Sequence, residues 1–111
     1  MFEKDRIKAE FILEMIDRIE RIVERHGGVS LALKDFEGEM AILLGIAQIG
    51  ETLAKLSDPF LERAGLLDEK RGAYLTRNYI VHDYEGVDRA LVEQIVRTAL
   101  PKMKSALKKV V

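Results

Sequence analysis

Cysteine is absent from this chain. Its absence removes disulfides, thiolate metal sites and cysteine nucleophiles, and it fits a reducing compartment. Histidine is scarce: His26 and His82 are the only two, and they stand far apart in sequence. No metal-ligating constellation can be assembled from them. A basic excess is also missing, since the formal net charge is -1. A protein whose main task is to hold long nucleic acid carries such an excess, because phosphate contacts supply most of the non-specific affinity. Any contact with RNA is therefore expected at a local site. There is no long apolar run either. "MAILLGIAQIG" is too short to span a bilayer, and charge runs through "MFEKDRIKAEF" where a signal peptide would have its apolar stretch. A cytoplasmic location without membrane contact is the expectation.

What is present is amphipathic helix. The 111 residues, 48% apolar and 33% charged, fit a single domain over 1–111 with one buried core. Phe11, Ile12, Met15, Ile16, Ile19, Ile22 and Val23 recur at three- and four-residue spacing and predict a helix over 2–25. Gly27 and Gly28 end it, and Ser30 is placed as the cap of a short helical lead-in. A second helix is predicted over 35–56. It carries two apolar stripes: Phe36, Met40, Leu43, Ala47, Gly50 and Ala54, and also Ile42, Ile46, Ile49, Leu53 and Leu56. Two stripes on one helix mean burial on two sides, in a bundle centre or partly in a subunit interface. Gly45, Ala47 and Gly50 allow another helix to come close. Met15, Met40 and Met103 are read as core filler.

Asp58 and Pro59 read as N-cap and first-turn residue of a short helix that Gly65 stops. A further helix is predicted over 67–81. After the turn "YEGVD", Asp88 caps a last helix in which Pro101 should produce a modest kink. The lysines at 102, 104, 108 and 109 read as a solvated face with favourable C-terminal charge. No strand pattern or internal repeat appears. The predicted fold class is all-α: an antiparallel up-and-down four-helix bundle with a short extra helix.

One segment breaks this plainness. "TRNYIVHDY", residues 76–84, concentrates Arg77, Asn78, His82, Asp83 and two tyrosines. Histidine moves protons near neutral pH, and arginine stabilises phosphate charge through its rigid fork of donors. Together they suit cleavage of an RNA phosphodiester, with the 2'-hydroxyl as internal nucleophile. On a regular helix, however, Arg77 and His82 point roughly 140° apart. Either the helix ends or distorts near His82, or two chains build one cleft across a two-fold axis. The twin stripes of the second helix favour a dimer. Two blander readings stand beside catalysis: a subunit that only binds and regulates, and a structural dimer whose motif locks helices together. Glu51, the lone charge between residues 41 and 54, either orients Arg77 or Asn78 or is a rim residue. Tyr79 is read as packing in preference to stacking on a base. His26 is read as a helix-terminus residue.

"RNYIVHDY" resembles the RNxxVHxY signature of HEPN-domain proteins of the HepT-like branch. "KDR", "IAQIGETLAKLSD", "GVD" and "ALPKMKSAL" also sit where that family has similar segments. The resemblance covers nearly the whole chain and implies an HEPN-like bundle. It further implies a homodimeric, metal-independent RNase toxin that needs no cofactor. The family's Arg-x4-His-x-Tyr falls on Arg77, His82 and Tyr84, with Asn78 and Glu51 in support. The implied partner is a minimal nucleotidyltransferase antitoxin that adds AMP to Tyr84. The alternative is a non-catalytic substrate-binding or regulatory subunit of a nucleotidyltransferase. The chain departs from the family pattern at Glu85, where an aromatic is common, and in "DEKRGAYLT" before the motif.

Overall fold

The computed structural model describes residues 2–111, and among them it is helical with no strand. The elements are α1 (Glu3–Arg25), α2 (Val29–Lys34), α3 (Phe36–Leu53), α4 (Asp58–Ala64) and α5 (Glu69–His82). A 3-10 turn (Tyr84–Gly86) follows, then α6 (Arg89–Gln94), a π-helical turn (Ile95–Ala99) and α7 (Leu100–Lys108). α6, the π turn and α7 run on as one last helix. With α1, α3 and α5 it makes the all-α four-helix bundle, and α2 and α4 are short connecting helices. The π turn comes just before Pro101, the place where the sequence predicts a disturbance.

Several boundaries differ from the sequence reading. α3 ends at Leu53 rather than at 56, because the chain must turn there to enter α4. The N-cap of α4 is Ser57, whose hydroxyl accepts from the Phe60 amide at 3.3 Å; Asp58 is the first helical residue. Ser30 lies inside α2, and Gly28 stands at its N-cap. The stop at Gly65 agrees with its left-handed φ of 76°. His26 closes the corner between α1 and α3: Nδ1 lies 2.8 Å from the Ile22 carbonyl and Nε2 3.2 Å from the Asp35 carboxylate. Asp35 itself caps α3 by accepting from the Gly38 amide at 2.9 Å.

One continuous core joins Ile12, Ile16 and Ile19 of α1 to Ile42, Ile46, Ile49 and Leu53 of α3. Phe60 and Leu61 of α4, Ile80 of α5 and Val92, Leu100, Met103 and Leu107 of the last helix complete it. Polar ties join the elements at the rim. The Asp5 carboxylate accepts from the Ser57 amide at 2.9 Å and its hydroxyl at 2.7 Å. Burial pushes the Asp5 carboxyl up, but these two bonds outweigh it and hold it below the ordinary range. Lys104 of α7 lies 2.8 Å from Glu20 and 3.2 Å from Asp17 of α1, and these partners raise its pKa.

The two stripes of α3 have different fates. The isoleucine stripe is buried. The other is split: Leu43, Ala47 and Gly50 are buried, whereas Phe36 and Met40 are 71% and 56% exposed; Leu44, which lies in neither stripe, is 61% exposed beside them. Met40 is thus not core filler, unlike Met15 and Met103. The small residues do let helices approach. A Cβ at Gly50 would meet the Ala73 carbonyl oxygen at 2.5 Å and the Arg77 Cβ at 2.9 Å, whereas one at Gly45 would meet only the Ile19 side chain, at 2.9 Å from Cδ1 and 3.1 Å from Cγ1.

Backbone cannot yield as a side-chain tip can. Gly50→Ala is therefore expected to destabilise the protein by about 1–3 kcal/mol through overpacking, against a helix-propensity gain of about 0.5–1 kcal/mol that any Gly→Ala change in a helix brings. Gly45→Ala should cost less, since only the Ile19 side chain, and no backbone, has to give. Denaturant midpoints of the two variants check the contrast; equal midpoints would refute it.

Candidate active site

The segment that stands out in the sequence forms the C-terminal half of α5 and the turn after it. α5 buries only Ile80. It is positioned by α3, whose Gly50 lets its backbone settle at close range.

Arg77 leaves α5 on the side of that contact. Its Nε lies 3.3 Å from Glu51 Oε2, and its Nη1 donates to Asn78 Oδ1 at 2.8 Å. Both partners of the Arg77–Glu51 pair are about two-thirds buried. The buried Glu51 oxygen makes no directed hydrogen bond, so its compensation is the charge of the guanidinium. The structure therefore brings Arg77, Asn78 and Glu51 together. The orienting position weighed for Glu51 matches this geometry.

His82 is not part of this group. α5 stays α-helical to its last residue, His82, so no distortion turns the imidazole towards Arg77. The side chain is exposed. Of the two ways for Arg77 and His82 to meet, the first is met in part: α5 does end at His82, with no distortion before it. Tyr84 also departs from the helical picture, in which it shares a face with Arg77. The helix ends at His82, Asp83 turns the chain with φ -136° and ψ 46°, and Tyr84 opens the 3-10 turn with 43% of its surface exposed.

That turn is not loose. The Tyr79 hydroxyl donates to the Gly86 carbonyl at 3.1 Å and accepts from the Asp88 amide at 2.9 Å. One side chain thus latches both ends of the loop to α5. Gly86 leaves room in it for the Asp83 carboxylate, which a Cβ there would meet at 2.8 Å. Asp88 then caps α6 through the Ala90 amide at 2.9 Å. The sequence reading of Tyr79 as packing missed this role. A tyrosine seven residues before a glycine turn was the available signal, but only the folded loop supplies its partners.

Beside Tyr84 lie two recesses. One is an open apolar groove of about 680 Å³ lined by Phe36, Met40, Leu44, Ala47, Val81 and Tyr84, among others. The other, of about 540 Å³, is polar and is lined by Glu39, Tyr84, Glu85, Val87 and Arg89. No group of His, Asp and Glu among the described residues is arranged to hold a metal ion.

Tyr79→Phe keeps the ring and removes both loop bonds. Hydrogen exchange of the Asp88 amide should quicken, while global stability falls by no more than about 1–2 kcal/mol, the worth of two exposed hydrogen bonds. Unchanged exchange at Asp88 would show that the latch does not hold in solution.

A family model described as ribonuclease HepT-like matches residues 12–110 of the chain. No curated protein matches it, and no solved structure does.

Proposed function

The chain belongs to the ribonuclease HepT-like family, and on that premise we propose that it is the endoribonuclease toxin of a toxin–antitoxin pair. It acts as a homodimer, without a metal ion, in the cytoplasm. The observation that carries this reading is the state of the motif: Arg77 is anchored by Glu51 and Asn78, while His82 and Tyr84 stand exposed at the adjoining helix end.

In the proposed reaction Arg77 stabilises the scissile phosphate of RNA. His82 carries the proton, as base for the 2'-hydroxyl or as acid for the leaving 5'-oxygen. The 2'-oxygen bonds to phosphorus and the P–O5' bond breaks. The products are a cyclic 2',3'-phosphate and a free 5'-hydroxyl. Asn78 and Glu51 restrain the guanidinium, so little side-chain entropy is lost when a phosphate arrives.

A dimer answers the divergence of Arg77 and His82 along one regular helix. Phe36, Met40 and Leu44, spaced one helical turn apart, form with Val81 an apolar face beside the motif. Such a patch marks an interface. A two-fold contact there sets two copies of the motif side by side. Tyr84 is the site for AMP addition by a cognate minimal nucleotidyltransferase antitoxin. Its exposure on the turn suits entry into another enzyme's site, and an added phosphate brings charge and bulk that oppose an RNA phosphate nearby.

In EDTA, protein prepared without any partner is expected to cut RNA and leave cyclic phosphate ends. His82→Ala should lower the rate by about 10²–10⁴-fold and keep the wild-type melting temperature. If neither protein cuts a broad RNA panel, the non-catalytic nucleotidyltransferase subunit becomes the better reading. Leu44→Arg, a charge on the apolar face, should yield monomers in sedimentation and abolish cutting, with helicity kept. A dimeric Leu44→Arg would exclude this face as the interface.

A further inference from the structure

Glu85 has no role in the reaction just described, and a free acid beside an RNA-cutting site repels phosphate. Its surroundings suggest a use. Glu85 makes no hydrogen bond or ion pair among the described residues. It lines the polar recess with Tyr84, Val87, Glu39 and Arg89. Arg89 gives its Nε to Glu39 at 2.6 Å, which neutralises that carboxylate and leaves the two amino groups of the guanidinium without a partner; the Arg89 side chain is 61% exposed. The walls are held in advance, because Tyr79 latches Gly86 and Asp88 on either side of Val87. An aromatic face, an unpaired carboxylate and unpaired guanidinium donors in one recess of about 540 Å³ are the equipment for an unstacked base.

The donors and acceptors choose which base. A carboxylate needs two neighbouring donors. Guanine has them on its Watson–Crick edge, N1–H and the N2 amine, and it also offers O6 and N7 as acceptors to an arginine. Adenine and cytosine each place a single amine beside a ring-nitrogen acceptor, which a carboxylate repels. Uracil has one donor between two carbonyls. We propose that the recess of Tyr84, Glu85 and Arg89 is a guanine-binding subsite, which selects RNA with a guanine beside the bond to be cut. Tyr84 stacks on the base, Glu85 accepts from N1–H and the amine, and Arg89 donates to O6 or N7. The link to a cleaved bond rests on the ribonuclease reading; recognition of the base does not.

The test therefore measures binding first. His82→Ala protein in EDTA is titrated, by fluorescence anisotropy, into short uridine strands that carry guanine, inosine, adenine, cytosine or uracil at the centre. The guanine strand should bind about ten-fold more tightly than the uracil strand, the worth of a bidentate contact. Inosine, which lacks the amine, should fall between them. Glu85→Gln in the same background should erase the guanine preference without weakening the uracil strand, since a negative charge has been removed. Equal affinity for all strands, or a guanine preference that survives Glu85→Gln, would overturn the subsite. Cutting by the wild type is scored separately. A guanine preference with no cutting would refute the ribonuclease reading and leave the subsite standing. Cutting without the preference would do the reverse.

Discussion

The site depends on one close approach, that of α5 to Gly50 of α3. α5 buries a single residue, Ile80, so it has little apolar surface with which to hold itself against the bundle. The absence of a side chain at Gly50 lets its backbone come to within contact distance at Ala73. Dispersion gains from such proximity are small per atom and large in sum. The same approach brings Arg77 against Glu51, one residue further along α3. Packing and electrostatics are thus coupled at one point: what seats the helix also orients its arginine.

The ion pair has its own logic. An arginine in water would sample many rotamers, and a half-buried glutamate without a counter-charge would be costly. Each residue makes the other tolerable, and Asn78 takes one more donor of the fork. The remaining donors of the fork make no hydrogen bond among the described residues. His82 is free of such restraints. It sits where α5 stops, exposed, with the latched turn immediately behind it. The anchored cation and the exposed imidazole therefore belong to different surroundings within the same segment.

Acidic residues around the motif sort by their partners. Glu51 is spent on Arg77, Glu39 on Arg89, and Asp88 on the α6 cap. Glu85, the fourth, keeps its full acceptor capacity, as Asp83 within the motif also does, but of these two only Glu85 lines the polar recess. A count of charges along the sequence treats these four alike and reads the region as hostile to RNA. Their geometry leaves Glu85 free and puts it in one recess with an aromatic ring and an arginine.

The helices were legible in the sequence because hydrophobic periodicity, glycine stops and caps are local signals: α1, α3, α5 and the last helix lie where the pattern puts them. The motif was legible as a cluster of rare chemistry. Ends were less so, since Ser57 rather than Asp58 caps α4 and Ser30 caps nothing; competing cap residues differ by less than the tertiary packing that decides between them. The outward face of α3 was also misjudged. Met40 fits a core stripe by spacing, but spacing does not say whether a neighbour covers it. By itself the sequence determined the all-α fold, the glycines that admit close helices and the clustering of Arg77, Asn78, His82 and Tyr84 in one segment, because each follows from the residue and its near neighbours. The tertiary structure alone decided that Arg77 turns to Glu51, that Met40 is left uncovered, and that Tyr79 fastens a loop. Those outcomes depend on atoms distant along the chain, or beyond a turn, whose separations only the packed bundle defines.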